Sequence, residues 1–318
     1  EWLYQNILSN KKVIAVSGTH GKTTVTSMIA HTLINNNFDP NYLIAGIPKK
    51  LEKSWNISND EVFVIEADEY DTCYFDKRPK FFHYRPNILL INNIEFDHAD
   101  IYENIEMIEK NFFELIKTMP SKSKVLINEK KVSKSLRNKL KKEKLKTTLQ
   151  FLSLNTSNIH EENKLLAAHA IEDLISKEKV LNGLKDYIGV KRRFETIFNN
   201  KNFKLIDDFA HHPTAIEETI KMIREQTDNL TLIVELGSNS MKRGVHDKRL
   251  VDIFKNQETY TINASAEQEK IFSVHAKELT NDDIVKICSK DEKKKTILMC
   301  GNRNFHGFQK LILNQLIK

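Results

Sequence analysis

Gly18-Thr19-His20-Gly21-Lys22-Thr23-Thr24 is the stretch that decides the fold of this chain. A β-branched run at 13–17 precedes it, and a helical pattern follows from about residue 23 to residue 35. A glycine-rich turn ending in Lys-Thr between a strand and a helix is the context of a P-loop. Backbone N–H groups and the dipole at the start of such a helix favour a polyphosphate. The stretch therefore predicts a strand–loop–helix unit that cradles phosphates.

The loop residues have distinct expected tasks. Gly18 and Gly21 let the backbone turn tightly and approach the phosphates. Lys22 is expected to reach the β- and γ-phosphates, and the Thr23 hydroxyl to contact Mg²⁺. The common GxxxxGK[ST] pattern has glycine where Val16 stands, so this is a shorter variant. The alternative is a purely structural turn between strand and helix.

Composition excludes several classes of protein. The 318 residues, 40% apolar and 29% charged, are typical of a globular protein of about two domains. No apolar run approaches the ~20 residues of a membrane helix, so no membrane partner is expected. Three widely spaced cysteines predict neither a disulfide framework nor a zinc site. A reducing cytoplasm is the expected location.

The net charge of +6 raises the question of a nucleic-acid partner, which needs basic residues clustered on one face. The clearest basic cluster alternates with leucines and has no interleaved aromatic residues. Its members are Lys139, Lys141, Lys142, Lys144 and Lys146, with Leu136, Leu140 and Leu145 between them. This pattern indicates a solvated helix face, and no nucleic-acid partner is expected.

Short apolar runs alternate with helical spacings, which predicts a doubly wound α/β sheet. The predicted strands are 13–17, 62–66, 88–91, 125–127, 203–207, 230–234, 259–262 and 296–299. The predicted helices are 23–35, one from 105 that Pro120 stops, 163–176, 179–187 and one that begins at Pro213. We place a boundary near 194–198, which predicts domains at 1–195 and 196–318.

Acidic and polar side chains follow two of the predicted strands. Glu66 ends the strand 62–66, and the run 92–100 follows the strand 88–91. Ligands of open α/β sheets bind outside the carboxyl ends of the strands, so both runs should lie beside the P-loop. Glu66 is the first candidate for a Mg²⁺ ligand. His98 is either a second ligand or a structural histidine, and Asp68, Asp71 and Asp97 are either ligands or turn residues.

The second half carries two further candidate motifs. Asp207-Asp208-Phe209-Ala210-His211-His212-Pro213 ends a predicted strand and is expected to contact a nucleotide, or else Asp208 or His211 caps the next helix. Arg192 and Arg193 lie near the predicted boundary. Guanidinium groups suit phosphate recognition, and a surface ion pair is the alternative.

These motifs together resemble the Mur ligase family, the ATP-dependent amide-forming enzymes of peptidoglycan synthesis. The matching stretches, in family order, are Gly18–Thr24, Glu66–Glu69, Asn93–His98, Gly189–Glu195 and Asp208–Thr214. The resemblance implies a P-loop doubly wound central domain, 1–195, followed by a smaller Rossmann-like α/β C-terminal domain, 196–318. The runs 66–86 and 92–101 look most like the branch that joins UDP-N-acetylmuramate to L-Ala-γ-D-Glu-meso-diaminopimelate.

The resemblance also implies ATP and Mg²⁺ as cofactors and a reaction through an acyl phosphate. Lys22 and Thr23 would hold the phosphates and the metal. Glu66 and His98 would be further metal ligands and, with Lys22, part of the catalytic machinery. UDP-N-acetylmuramate and the murein tripeptide are the implied partners, as substrates.

Four more residues take roles from the resemblance. Asn93 would lie near the transferring phosphate. Arg193 and Asp208 would contact ATP from the hinge and the second domain. His211 is a candidate base for the attacking amine.

Two departures of the chain from the family pattern bear on its function. Trp2-Leu3-Tyr4 already resembles the approach to the P-loop, so the family's N-terminal UDP-binding domain of about 100 residues is expected to be missing or separate. The family's Glu-Pro-Arg-Ser-Asn reads Glu235-Leu236-Gly237-Ser238-Asn239, which removes an arginine near the expected peptide site. Two alternatives stay open: a UDP-N-acetylmuramate–L-alanine ligase, and a degenerate ATP-binding fragment without catalysis.

Overall fold

The computed structural model of the chain describes residues 1–156, 158–289 and 293–317. The backbone divides into two compact units, Glu1–Lys191 (unit 1) and Arg192–Lys318 (unit 2). The division lies shortly before the boundary predicted at residue 195. Among the described residues, no helix combines the length and the apolar character needed to span a bilayer.

The elements of unit 1 alternate between strand and helix. The strands are β1 (Lys12–Ser17), β2 (Asn41–Leu43), β3 (Trp55–Asn56), β4 (Val62–Glu66), β5 (Asp71–Cys73), β6 (Asp76–Pro79), β7 (Ile88–Ile91), β8 (Lys124–Asn128) and β9 (Thr148–Leu152). The helices are α1 (Lys22–Asn35), α2 (Ile105–Thr118), α3 (Lys134–Lys142), α4 (Ile159–Ala170) and α5 (Lys177–Gly183).

Strand β1 lies inside a seven-stranded sheet of order β3-β2-β4-β1-β7-β8-β9. All neighbours pair in parallel except β2 and β3, and the hairpin of β5 and β6 stands apart. Side chains of β1 alternate between two apolar cores, because successive strand residues point to opposite faces. Ile14 and Val16 pack with α1, α4 and α5, while Val13 and Ala15 pack with α2 and α3. This is the doubly wound sheet that the sequence predicts.

Unit 2 repeats the alternation in a smaller sheet. Its strands are β10 (Glu195–Asn199), β11 (Phe203–Asp208), β12 (Leu230–Glu235), β13 (Glu258–Ile262), β14 (Lys277–Glu278) and β15 (Lys295–Cys300). Its helices are α6 (Pro213–Arg224), α7 (Asn239–Lys242), α8 (Asp247–Phe254), α9 (Ala266–Phe272), α10 (Asn281–Ile287) and α11 (Phe308–Ile317). The order is β10-β11-β15-β12-β13-β14, with β10 antiparallel to β11 and the other pairs parallel.

The predicted strands are confirmed, whereas two predicted helices are wrong in their bounds. The helix predicted at 163–176 is α4, which begins at Ile159 because the Asn158 side chain accepts hydrogen bonds from the N–H groups of His160 and Glu161. It ends at Ala170 rather than Ser176. The helix predicted at 179–187 is α5, which starts two residues earlier and passes into a short 3₁₀ turn at Leu184–Asp186.

The basic cluster forms the solvated face that its pattern predicts. Ser133 caps α3 by accepting a hydrogen bond from Leu136 N–H (3.1 Å). Leu136 and Leu140 are buried in the unit 1 core, while the lysines at 139, 141 and 142 are exposed. Residues 144 and 146 lie beyond the end of α3 and are exposed as well.

Two phenylalanines of unit 1 offer a matched test of this core. Phe112 is 1% exposed on α2, whereas Phe75 is 91% exposed in the turn between β5 and β6. We expect Phe112→Ala to lower the free energy of unfolding by about 3–5 kcal/mol, because it removes a buried ring and leaves a cavity. Phe75→Ala should change it by less than about 0.5 kcal/mol. Urea unfolding followed by tryptophan fluorescence measures unit 1 alone, since Trp2 and Trp55 both belong to it. Equal effects of the two changes would contradict this packing.

Candidate nucleotide and metal site

The loop between β1 and α1 needs glycine at two positions. Gly18 has φ 133° and Gly21 has φ 78°, a left-handed region that other residues rarely adopt. A Cβ atom on Gly18 would lie 2.8 Å from the backbone oxygen of Asn93, which leaves no room for a side chain. Gly21 is also the N-cap of α1 and has no side chain to accept from the first-turn N–H groups. Those donors suit an anion, as the sequence predicts.

Two asparagines that follow β7 hold the loop in place. The Asn93 side chain accepts a hydrogen bond from His20 N–H (2.8 Å) and donates one to the His20 carbonyl (3.0 Å). Asn92 donates a second bond to the same carbonyl (2.8 Å). Thr19 N–H donates to the Asn93 carbonyl (3.2 Å). The end of β7 thus fixes the loop conformation, and Asn93 lies directly against the loop.

Thr23 and Glu66 lie together, as expected from the strand order. The Thr23 hydroxyl donates a hydrogen bond to one carboxylate oxygen of Glu66 (2.8 Å). The other oxygen accepts from Ala45 N–H (2.8 Å). A hydroxyl and a carboxylate at the start of a P-loop helix are oxygen ligands of the kind that Mg²⁺ prefers.

The ammonium group of Lys22 is held by oxygen atoms on two sides. It donates to the Gly18 carbonyl (2.7 Å) and to the buried carboxylate of Glu69 (3.0 Å), and Asp68 lies 3.5 Å away. Burial alone would lower the pKa of Lys22, but the charges of Glu69, Asp68 and Glu66 outweigh it and raise the pKa. Lys22 therefore stays charged.

Glu69 connects Lys22 to His98. One carboxylate oxygen contacts Lys22, and the other lies 3.5 Å from Nε2 of His98. Burial would raise the pKa of Glu69, but Lys22 and His98 lower it to about 2. Burial would lower the pKa of His98, but the carboxylates of Glu69 and Asp97 outweigh burial, so the pKa of His98 is raised. The three side chains form a continuous chain of contacts, Lys22–Glu69–His98, beside the loop.

The carboxylates divide into two neighbouring groups. Glu66 contacts Thr23, while the ligand atoms of Asp68, Glu69 and His98 lie within 4.8 Å of one another. The second group has the donor types and the spacing to hold a cation. Of the predicted metal ligands, Thr23 and Glu66 touch, and His98 contacts Glu69 instead.

Sequence reasoning did not select Glu69, Asn92 or Asn163 as site residues. Glu66 lies at the tip of β4, whereas Glu69 lies three residues beyond it and reaches Lys22 only through the turn that follows the strand. A Cβ atom on Gly21 would collide with the Asn92 amide and lie 3.2 Å from Oδ1 of Asn163. That Asn163 oxygen is buried without a hydrogen-bond partner in the part of the chain that the structure describes. The sequence positions of Asn92 and Asn163 do not by themselves indicate that either side chain lies beside the loop.

In unit 2, Asp208 organises the end of β11. Its carboxylate accepts hydrogen bonds from Ala210 N–H (2.8 Å), Phe194 N–H (3.0 Å) and the Thr219 hydroxyl (3.3 Å). Burial raises the pKa of Asp208, although the charge of Arg193 opposes the shift. The Arg193 guanidinium lies 4.5 Å from the centre of the Phe209 ring.

The alternative interpretation, in which Asp208 or His211 caps α6, is wrong. His212 is the cap, since its Nδ1 accepts a hydrogen bond from Thr214 N–H (3.3 Å). Nδ1 of His211 lies 2.8 Å from the carbonyl oxygen of Phe209. Because a carbonyl only accepts, Nδ1 carries the proton and Nε2 is the basic nitrogen of the neutral ring.

Both units of the chain match known protein-family models. The family model described as "Mur ligase middle domain" matches residues 16–179, and that described as "Mur ligase, glutamate ligase domain" matches residues 192–303. The chain belongs to the Mur ligase family. The two matches fall on unit 1 and unit 2, and the fold class predicted from the sequence is confirmed.

Named relatives within the Mur ligase family include ligases of two kinds. A UDP-N-acetylmuramate–L-alanyl-γ-D-glutamyl-meso-2,6-diaminoheptandioate ligase of Haemophilus influenzae is 33% identical over 77% of this chain and 61% of its own length. A UDP-N-acetylmuramate–L-alanine ligase of Clostridium perfringens is 29% identical over 74% of this chain and 57% of its own. The crystal structure of a murein peptide ligase of Psychrobacter arcticus is 27% identical, with a TM-score of 0.72 over 99% of this chain and 79% of that one. The chain thus spans about 61% of the length of the first of these relatives.

The Lys22–Glu69 pair can be tested by removing one charge. We expect Glu69→Gln to lower the free energy of unfolding of unit 1 by about 3–5 kcal/mol, because Lys22 would remain charged and buried. Asp68→Asn is the control, since that carboxylate is 35% exposed and more distant, and should cost less than about 1 kcal/mol. Tryptophan fluorescence in urea measures both.

The pH dependence of the same pair has a defined sign. The pKa of Glu69 is about 2 when folded and 4.5 as an unperturbed side chain, so its stabilisation is complete above pH 4.5 and is lost as the pH falls towards 2. The Glu69→Gln variant should lose less stability than the parent over this range. An identical acid loss in both proteins would exclude Glu69 as its source.

Proposed function

We propose that the chain forms an amide bond between UDP-N-acetylmuramate and L-Ala-γ-D-Glu-meso-diaminopimelate at the expense of ATP. The observation that carries the proposal is the P-loop with Lys22 and Thr23 set against Glu66 and Glu69 at one sheet edge. The 33% identity to a ligase named for these two substrates supports the choice of reaction.

The nucleotide phosphates would bind at the loop Gly18–Thr24. First-turn N–H groups of α1 and the Lys22 ammonium would neutralise their charge. Lys22 would then exchange its contacts with Glu69 and the Gly18 carbonyl for phosphate oxygens. In unit 2, Arg193 and Asp208 would contact the nucleotide.

Thr23, Glu66 and His98 would hold Mg²⁺, with Asp68 and Glu69 beside them. The donor set fits this ion, because it is rich in oxygen atoms and partly buried. When bound, Mg²⁺ supplies positive charge that stabilises the negative charge developing on the transferred phosphoryl group.

The proposed reaction has two steps. An oxygen of the lactyl carboxylate attacks the γ-phosphorus of ATP, and ADP leaves, which yields an acyl phosphate. The peptide amine then attacks the acyl carbon, the tetrahedral intermediate collapses, and phosphate leaves. Lys22 and Asn93 would stabilise the transferring group. Nε2 of His211 is the candidate acceptor of the amine proton, since its Nδ1 donates to the Phe209 carbonyl.

Two other functions compete with this one. The 29% identity to a UDP-N-acetylmuramate–L-alanine ligase favours L-alanine as the amine. The sequence Leu236-Gly237 in place of the family's Pro-Arg favours a protein that binds ATP without catalysis.

Phosphate release tests the proposal directly. With ATP, Mg²⁺, UDP-N-acetylmuramate and the tripeptide, we expect phosphate release that requires both acceptor substrates. Lys22→Ala should reduce the rate by about 10²–10³-fold or more, because a preorganised charge at the transferring phosphoryl group is lost. Lys141→Ala, an exposed lysine on α3, is the control and should leave the rate unchanged. Unchanged release in Lys22→Ala would refute the mechanism, and ATP binding without any release would support the non-catalytic alternative.

The amine substrate can be identified by competition between donors. We expect the tripeptide to give a kcat/KM at least about tenfold above that of L-alanine. The amide product, resolved by mass, identifies the donor used when both are present. A preference for L-alanine would assign the chain to the alternative ligase.

A further inference from the structure

Gly46 lies between the side chain of Thr23 and that of Val190, a residue from the other end of unit 1. A Cβ atom on Gly46 would lie 2.9 Å from Cγ2 of Thr23 and 2.8 Å from Cγ1 of Val190, and both distances are steric clashes. Thr23 and Val190 are themselves buried, at 2% and 1% exposed. Val190 therefore packs one glycine away from the side chain whose hydroxyl contacts Glu66.

The residue before Gly46 holds the same carboxylate from its other side. Ala45 N–H donates to Oε2 of Glu66 (2.8 Å), while the Thr23 hydroxyl donates to Oε1 (2.8 Å). The backbone at 45–46 thus contacts Glu66 through a hydrogen bond and Thr23 through its methyl group. It lies in segment 44–49, which follows β2 and is neither helix nor regular strand. The position of this backbone consequently depends on what packs against it.

Residues 186–191, which we call the strap, pack against segment 44–49. The strap is the last part of unit 1 before the chain enters unit 2. Lys49 N–H donates to the Gly189 carbonyl (3.0 Å), and Lys191 N–H donates to the Ile47 carbonyl (3.0 Å). These bonds pair the two stretches in antiparallel fashion. The strap therefore fixes the backbone of segment 44–49.

The strap is also tied to the helix that follows the P-loop. The Tyr187 hydroxyl forms a hydrogen bond with the Ser27 hydroxyl, and Oδ1 of Asp186 lies 3.1 Å from Nε2 of His31. Ser27 and His31 are buried on α1, the helix that carries Thr23 in its first turn. One end of the strap is thus bound to α1 and the other to segment 44–49, so it sets the distance between them.

We propose that the strap, through Val190, is a positioning element of the metal site. It holds the backbone at 45–46 against α1, so that the Thr23 hydroxyl and the Glu66 carboxylate stay together as oxygen ligands for Mg²⁺. The inference rests on the proposed function in one respect, the assignment of Thr23 and Glu66 to Mg²⁺. It adds residues that are expected to touch neither the metal nor the nucleotide.

Three variants of the full chain isolate this role. Gly46→Ala inserts one methyl group between Thr23 and Val190, and Gly46 is not among the residues with positive φ, so alanine suits its backbone. Gly183→Ala is the matched control, because a Cβ there meets no atom within 4 Å and φ is −65°. Val190→Ala combined with Gly46→Ala removes Cγ1 of the valine, which makes room for the inserted methyl group on the strap side.

Calorimetry with a non-hydrolysable ATP analogue, in Mg²⁺ and in EDTA, measures the metal-dependent part of binding. We expect Gly46→Ala to weaken binding in Mg²⁺ about tenfold or more, the usual loss when the support of a metal ligand is displaced. Binding in EDTA should stay unchanged, since the loop N–H groups and Lys22 are untouched. The double variant should recover most of the loss, and Gly183→Ala should bind like the parent in both conditions.

Thermal unfolding without nucleotide separates positioning from folding. A purely structural role of Gly46 predicts a lower unfolding temperature with unaltered affinity well below the transition. That result would overturn the inference, as would an equal loss in Mg²⁺ and in EDTA, or a parent whose binding does not depend on Mg²⁺. If the parent still releases phosphate, the proposed function stands in each of these cases. A loss in Gly46→Ala confined to Mg²⁺, with no phosphate release by the parent, would support the inference while the proposed function fails.

Discussion

The parallel pairing of β1 with β4 on one side and β7 on the other is the constraint on which the site in unit 1 depends. Parallel strands end at the same edge, so the P-loop, the acidic run after β4 and the asparagines after β7 must meet there. The hydrogen bonds of Asn92 and Asn93 to His20 then fix the loop backbone. A loop held in this way needs little reorganisation when an anion binds to it.

The second feature of this edge is the density of buried charge. Lys22 and Glu69 are both removed from water, and each is tolerable only because the other is present. His98 extends the chain on the far side of Glu69. The arrangement keeps the lysine charged beside the loop, where it can meet an anion, and it places carboxylates with the spacing to hold a cation.

Two buried carboxylates of unit 2, Asp208 and Asp247, lie in different environments. Asp208 accepts three hydrogen bonds and has Arg193 as a nearby charge, which suits a residue that organises the end of a strand. Asp247 accepts one side-chain hydrogen bond, from the Gln268 amide, and lies beside a cavity lined by both basic and acidic side chains. The two carboxylates thus differ in how fully their oxygen atoms are hydrogen-bonded.

Much of this protein was determined by local sequence. Alternating apolar residues predicted the strands, and the glycines and Lys-Thr of residues 18–24 predicted the loop, because short-range backbone conformation depends on neighbouring residues. Thr23 and Glu66 could be brought together from the sequence because each lies directly at the end of its element.

Only the tertiary structure decided which side chains meet across longer separations. Glu69 pairs with Lys22 because of the path of the chain after β4, His212 rather than Asp208 or His211 caps α6, and Gln268 reaches Asp247 from a different helix. Such contacts depend on sheet order and helix placement, which bring together residues far apart in the chain. No local pattern encodes them.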